Sequence, residues 1–148
     1  MARREGCFAI HIGMDNICTV NPNHRHLFLD CDQTPLNKLL HSIFTLVEAY
    51  PELSTTYVLA SSPWNFHVAN FASLPKETYF KIRNEALELK IVSPEYIHQC
   101  ILKQNSVLRL GRKHNYPIRP AFRIDGYGEE CLKDCAIYFK LLKHYQVR

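Results

Sequence analysis

The sequence predicts an α+β fold in which helices cover one face of a mixed, mostly antiparallel sheet. Short runs rich in β-branched and aromatic residues alternate with longer segments of helical apolar spacing, and turn-forming residues separate several of these runs. With 148 residues, 47% of them hydrophobic and 22% charged, the chain has an ordinary globular composition. It is long enough for one domain over residues 1–148, and no repeat or linker divides it.

Two early apolar runs are predicted strands. They cover residues 7–12 and 26–30, and asparagine and proline at positions 21–23 lie between them. This spacing predicts that the two strands form a hairpin-like pair.

The first predicted helix follows Thr34, whose side chain is suited to cap it, and Pro35 fits the first helical position. Apolar residues then recur at helical spacing from Leu36 to Tyr50, and Pro51 ends the segment. The remaining predicted elements are strands over 56–60 and 66–69, helices beginning at Pro75 and Ser93, a strand over 106–110 and a helix over 129–144. The order of all these elements favours an RRM-like layer arrangement.

The composition argues against a membrane or secreted protein. No apolar run approaches the roughly 20 residues that a membrane-spanning helix needs, and the basic residues 1–6 precede no signal-peptide core. Six cysteines in a chain of this size, without an export signal, are expected to stay reduced. We therefore expect a cytoplasmic or otherwise intracellular protein, with no membrane partner.

The positive charge is concentrated in one segment. The chain carries a net charge of +4, which by itself is too small to indicate a nucleic-acid partner. Residues 109–123, however, contain no acid, and five of them are basic: Arg109, Arg112, Lys113, Arg119 and Arg123. Two interpretations stay open, a solvated basic face and an anion-binding site.

Asp30 and Asp32 are the strongest candidates for a chemical site. They end an apolar strand, and residues two apart in a strand point to the same face. Two carboxylates held this close are costly unless a cation lies between them, and Mg²⁺ or Mn²⁺ favours such oxygen ligands. The alternative is that Asp32 belongs to the turn before the helix and Asp30 is simply solvated.

Two further segments could contact phosphate. Ser61 and Ser62 end a predicted strand, and His67 lies on the returning strand, where it could donate to a phosphate or act as a general acid. Arg109 lies in a later strand that is followed by Gly111, which permits close approach of the backbone to a ligand. Each segment alone is equally compatible with an ordinary surface.

The order of these segments resembles the catalytic core of the archaeo-eukaryotic primases and related primase-polymerases. An apolar strand ending in Asp-x-Asp is followed by a helix, a strand pair with serine and histidine at its turn, two helices and a basic strand. The resemblance covers roughly residues 7–125 and implies an RRM-like primase catalytic core. It implies that Asp30 and Asp32 bind divalent Mg²⁺ or Mn²⁺.

The resemblance also implies the substrates and the reaction. His67, with Ser61 or Ser62, would contact the phosphates of an incoming nucleoside triphosphate. The implied activity is metal-dependent nucleotidyl transfer that makes or extends a primer on a nucleic-acid template in replication or repair, alongside a helicase or other replication proteins. The predicted ligands of the triphosphate are Ser61, Ser62, His67, Arg109, Arg112 and Lys113.

The chain departs from the family pattern at its third motif, an apolar residue followed by aspartate on a later strand. The corresponding strand here carries Arg109, and the nearest acid that follows an apolar residue is Asp125. Either Asp125 supplies a third metal carboxylate or that carboxylate is missing.

Three rival interpretations remain. His24 and His26 resemble the paired-histidine motif of rolling-circle nicking nucleases, with Tyr79 as the nucleophile, although Tyr79 also fits the apolar stripe of its helix. A catalytically degenerate nucleic-acid-binding or partner-binding module is the second alternative. The third is a zinc site formed by Cys131 and Cys135, one helical turn apart, with His98 and Cys100.

Overall fold

A computed structural model of the chain describes residues 12–113 and 115–146. It contains two sheets and four long helices, so the α+β class is confirmed. The strands are β1 (Gly13–Asp15), β2 (His24–Asp32), β3 (Thr56–Ser62), β4 (Asn65–Pro75), β5 (Val107–Arg109) and β6 (Arg119–Ile124). The helices are α1 (Leu36–Ala49), α2 (Lys76–Glu88), α3 (Pro94–Lys103) and α4 (Leu132–Gln146).

The main sheet has the strand order β2-β4-β3-β6, and β1 pairs with β5 in a second, two-stranded sheet. Every strand pairing within the described ranges is antiparallel, which agrees with the prediction of a mostly antiparallel sheet, and the parallel pairs of a mixed sheet do not occur there. Because β2 and β3 are both antiparallel to β4, they run in the same direction, and α1 connects them. This arrangement is a split β-α-β motif, with β4 inserted between the two strands.

Both faces of the main sheet are covered, whereas the sequence predicted helices on one face only. Alternate residues of β2 point to opposite faces. Leu27 and Leu29 pack in one apolar cluster with Ile43 of α1 and Ile82 of α2. On the other face, the buried residues come from the sheet, from β5 and from α4, and they include Phe28, Phe71, Leu108 and Tyr138.

The first strand does not pair as predicted. Most of the predicted strand at residues 7–12 lies outside the described residues, and β1 is antiparallel to β5, with Gly13 opposite Arg109. The turn at 21–23 does form, since His24 N donates to the Asn21 carbonyl at 2.8 Å. Strand β1 therefore supports β5, the strand that carries Arg109.

Strand β6 was not among the predicted strands. Pro120 and two arginines within the strand argue against a strand in sequence, because proline cannot donate to a ladder. As the last strand in the order, β6 is an edge strand, where proline is tolerated. A register irregularity beside Pro120 also lies in the part of β3 that pairs with β6.

The starts of α1, α2 and α3 agree with the sequence to within one residue, whereas α4 begins at Leu132, three residues after its predicted start. Helix α1 begins at Leu36 with Pro35 as its N-cap, so the predicted Thr34 cap is off by one position. Helix α3 has the predicted cap: the Ser93 hydroxyl accepts from Tyr96 N at 3.1 Å. None of the helices in the described part of the chain is both long and apolar enough to cross a membrane.

Candidate active site

The two aspartates lie at the end of β2, opposite residues of the neighbouring strand β4. Asp30 of β2 is opposite His67 of β4, and His67 is in turn opposite Leu59 of β3. Two residues further along β2, Asp32 is opposite Asn65. Because paired residues in an antiparallel sheet point to the same face, the carboxylates and the histidine meet on the face that β5 covers.

A cavity of about 340 Å³ opens at this point, where β2 and β3 end and β4 begins. Seven of the predicted site residues line it, although they come from four different strands or their flanking loops. They are Asp30, Asp32, Ser61, Ser62, His67, Arg109 and Lys113. The sequence did not single out four further lining residues, Gly13, Asn65, Lys103 and Val107.

The two carboxylates are coupled. Burial, followed by the charge of Asp32 and a hydrogen bond with it, raises the pKa of Asp30 from 3.8 to about 7. Arg109 and Lys113 act in the opposite direction but do not offset the burial. Two neighbouring carboxylates repel each other when both are ionised. A hard divalent cation bound by both would remove this repulsion, so the pair suits such a cation.

His67 is a neutral imidazole in this site. The residue is 4% exposed, and burial, aided by the charges of Arg109 and Lys113, lowers its pKa from 6.5 to about 3. Its Nε2 lies 3.8 Å from Asp30 Oδ1, and its Nδ1 has no hydrogen-bond partner among the described residues. A buried and unpartnered ring nitrogen at the wall of a polar cavity is suited to contact a ligand.

Arg109 forms the cationic side of the cavity. Its Nη2 donates to the Ser61 carbonyl at 3.2 Å, and its Nη1 donates to the Gly111 carbonyl. These contacts fix a half-buried guanidinium between β5 and the end of β3, with Lys113 and Lys103 beside it along the cavity. The result is a positive wall facing the carboxylate pair.

Asn65 orders the turn between β3 and β4. Its Nδ2 donates to the Ser62 hydroxyl at 2.6 Å, and its Oδ1 accepts from Gln33 N at 2.8 Å. The same side chain therefore ties the end of β2 to the end of β3. In the sequence, the only feature that could have pointed to Asn65 is its position two residues before His67.

A second cavity, of about 320 Å³, adjoins the first and shares Asp30 and Asp32 with it. Helix α3 forms its other side, including Glu95 in the first turn and Lys103 in the last. Helix α3 is held there because the Tyr96 hydroxyl donates to the Phe28 carbonyl at 2.7 Å. The carboxylates thus lie between two open cavities.

Two predicted site residues do not join the cavity. Asp125 follows Ile124, which pairs with Thr56 at the start of β3, whereas the cavity lies at the other end of β3, about 20 Å away along the strand. Asp125 Oδ1 lies 3.7 Å from Arg123 Nε, and Asp125 lines neither cavity beside Asp30 and Asp32, which favours the alternative that the third carboxylate is missing. Arg112 does not line the cavity, and its guanidinium donates to the Asn115 carbonyl at 3.3 Å.

The residues of the nuclease interpretation are placed unfavourably for that chemistry. Tyr79 is 2% exposed and packs in the core cluster between the sheet and the helices, so its hydroxyl cannot reach a DNA backbone. His24 is hydrogen-bonded to the Ser73 hydroxyl, whereas His26 is fully buried and hydrogen-bonded to Asp134, so the two histidines contact different partners.

The predicted zinc ligands do not come together either. Cys135 Sγ contacts the Tyr57 hydroxyl at 3.7 Å, and His98 and Cys100 belong to α3. Among the described residues, a different set of side chains could hold a metal ion, with all of its ligand atoms within 4.8 Å of one another. This set is Cys18, His26, Cys131 and Asp134.

Three comparisons with known proteins found no match for this chain. No family model, no curated protein and no solved structure matches it. The function is therefore inferred from the geometry of the cavity and the resemblance of its motifs.

Proposed function

We propose that the chain is an intracellular, metal-dependent nucleotidyltransferase resembling the primase-polymerases, which makes or extends a nucleic-acid primer from nucleoside triphosphates in replication or repair. The observation that carries the proposal is the cavity itself, in which a carboxylate pair, a buried neutral histidine and a cationic wall converge. The split β-α-β motif that positions them is compatible with an RRM-like catalytic core.

Asp30 and Asp32 would hold Mg²⁺ or Mn²⁺. The donor set fits, because two carboxylate oxygens suit hard cations and because burial and the charge of Asp32, which raise the pKa of Asp30, are effects that a bound cation would oppose. When bound, such ions activate an attacking hydroxyl and neutralise the charge that develops on a pyrophosphate leaving group. With Asp125 excluded, water or substrate oxygens would complete the coordination.

The opposite wall would bind the triphosphate. Arg109 and Lys113 line the same cavity as the carboxylates and their charges act on Asp30, and Ser61 and Ser62 also line it. Phosphoryl transfer depends mainly on positioning and charge stabilisation, which such a wall supplies. His67, neutral above about pH 3, would donate an N–H hydrogen bond to a phosphate oxygen instead of acting as a charged acid.

The template would contact the surface mainly through its phosphates. Binding of that kind weakens as the salt concentration rises, because counterions are released. A helicase or other replication proteins would act with it.

Nucleotide incorporation on a primed template in Mn²⁺ or Mg²⁺ tests the proposal. Asp30→Asn should reduce incorporation by about 10³-fold, because it removes a metal ligand without changing the shape of the site. Asp125→Asn is the matched control and should retain activity, since Asp125 lies at the far end of the sheet.

Three results would contradict the proposal. Activity that survives in the Asp30→Asn, Asp32→Asn double variant would place the chemistry elsewhere. Salt-sensitive binding without incorporation would support a degenerate binding module. A covalent DNA adduct that Tyr79→Phe abolishes would support the nicking nuclease.

A further inference from the structure

Four metal-binding side chains meet near the start of α4, away from the cavity described above. We propose that Cys18, His26, Cys131 and Asp134 together bind one structural Zn²⁺ ion that fastens the start of α4 to the turn before β2. All four ligand atoms lie within 4.8 Å of one another. This inference does not depend on the proposed nucleotidyltransferase activity.

Two short segments supply the ligands in pairs. Cys18 and His26 flank the turn before β2, where Cys18 N donates to the His24 carbonyl at 3.2 Å. Cys131 and Asp134 are three residues apart at the start of α4, and Cys131 N donates to the Phe71 carbonyl at 2.8 Å. A turn and a helix start, each contributing two closely spaced ligands, can enclose an ion from opposite sides.

The hydrogen bonds of His26 favour a cation at its other nitrogen. His26 Nδ1 lies 3.0 Å from the Ala72 carbonyl, which can only accept, so Nδ1 carries the proton. In a neutral imidazole Nε2 is then an acceptor, yet it lies 2.7 Å from Asp134 Oδ2, another acceptor. At this distance the two atoms share a proton, and a Zn²⁺ ion bound by both would take the place of that proton.

Further contacts orient the other ligands, as outer hydrogen bonds do in metal sites. Thr19 N donates to Asp134 Oδ2 at 2.9 Å, and the Thr19 hydroxyl donates to Oδ1. The Ser73 hydroxyl lies 3.5 Å from Cys18 Sγ, where it can donate to a thiolate. Together with the bond between His26 and the Ala72 carbonyl, these contacts would hold three of the ligands in place before the ion binds.

The donor types favour zinc. Two thiolates, an imidazole and a carboxylate are typical ligands of Zn²⁺, whereas Mg²⁺ and Mn²⁺ prefer oxygen. His26 and Asp134 are both 0% exposed, and a site with four protein ligands has no open position, which is typical of a structural ion. The ring of Phe71, 5.4 Å from that of His26, contributes an apolar wall.

An ion can reach the site without crossing the core. A surface cavity of about 370 Å³ is lined by Cys18 and Cys131, with Glu129 and Glu130 at its rim. The site is separate from the carboxylate pair, because His26 lies four residues from Asp30 on β2, about 13 Å along the strand.

The full chain, purified under reducing conditions and loaded with zinc, tests the proposal by elemental analysis. The wild type should bind one equivalent of zinc, and removal by a chelator should lower its melting temperature by about 5–10 °C. Cys18→Ser and Cys131→Ser should each lose the zinc. Cys135→Ser, one helical turn from Cys131, is the matched control and should keep it.

Cobalt substitution of the wild type keeps the proposal testable if the variants fail to fold. A tetrahedral Co²⁺ complex with thiolate ligands gives intense visible bands and a sulfur-to-cobalt charge-transfer band. The proposal is overturned if those bands are missing, if zinc neither binds nor stabilises the wild type, or if Cys18 and Cys131 form a disulfide in place of the site. Asp30→Asn should keep its zinc, so failure of this proposal is distinguishable from failure of the proposed activity.

Discussion

Asp30 lies beside Asp32 at the end of β2, and the fold raises its pKa from 3.8 to about 7. Between these two values the folded chain binds a proton that the unfolded chain releases, so this group reduces the stability of the fold as the pH rises from about 4 to about 7. The destabilisation is fully present above pH 7, where Asp30 is ionised. A site that carries such a cost is typical of one built to bind a ligand.

Asp30→Asn should therefore raise the melting temperature of the metal-free protein at pH 8 and change it little at pH 4, because the substitution removes the repulsion between the two carboxylates. Mn²⁺ should stabilise the wild type at pH 8 more than it stabilises the variant. Thermal melts at both pH values measure the effect. Equal melting temperatures for wild type and variant at pH 8 would show that the pair is not strained.

Arg109→Lys should raise the KM for the nucleoside triphosphate about tenfold while changing kcat less. The planar guanidinium donates to two backbone carbonyls and still presents donors to the cavity, whereas an ammonium cannot keep the same arrangement. Steady-state kinetics of nucleotide incorporation separate the two constants. Arg119→Lys, on the exposed edge strand β6, is the control, and an equal rise in its KM would contradict a specific role for Arg109.

The elements differ in how far the sequence predicts them. Helices α1 to α4 were predicted because their apolar spacing is local information, as were the runs that became β2 to β4. Strand β6 was missed because its basic residues and Pro120 indicate a loop unless its edge position is known. The partner of β1 was missed because the strand that pairs with it, β5, lies more than ninety residues later.

A substitution at Gly13 tests whether the close approach of β1 to β5 supports the site. A Cβ atom at Gly13 would lie 2.6 Å from Val107 Cγ1 and 3.0 Å from the Leu108 carbonyl oxygen, whereas one at Gly111 would meet nothing within 4 Å. Gly13→Ala should therefore reduce the free energy of unfolding by about 1–3 kcal/mol and lower activity by displacing Arg109. Gly111→Ala should do neither, and denaturant unfolding of both variants provides the comparison. Equal stability of the two variants would show that β5 does not depend on this contact.

At the scale of the whole molecule, the fold collects residues that are distant in sequence. The cavity residues were identified because each follows a strand end with a recognisable polar pattern, although the order of the strands was not predicted. The sequence could not show that Asp125 lies far from the cavity, because the pairing of its neighbour Ile124 with the start of β3 is a tertiary feature. The cysteine, histidine and aspartate cluster was missed because His26 and Asp134 are 108 residues apart.

The cavity around Asp30 and Asp32 is the central claim, and a crystal structure with Mn²⁺ and a non-hydrolysable nucleoside triphosphate tests it most directly. We predict anomalous manganese density bound by Asp30 and Asp32, with the triphosphate oxygens against Arg109 and Lys113. Manganese at another position, or a triphosphate bound outside this cavity while the carboxylate pair holds no ion, would contradict the proposed nucleotidyltransferase site.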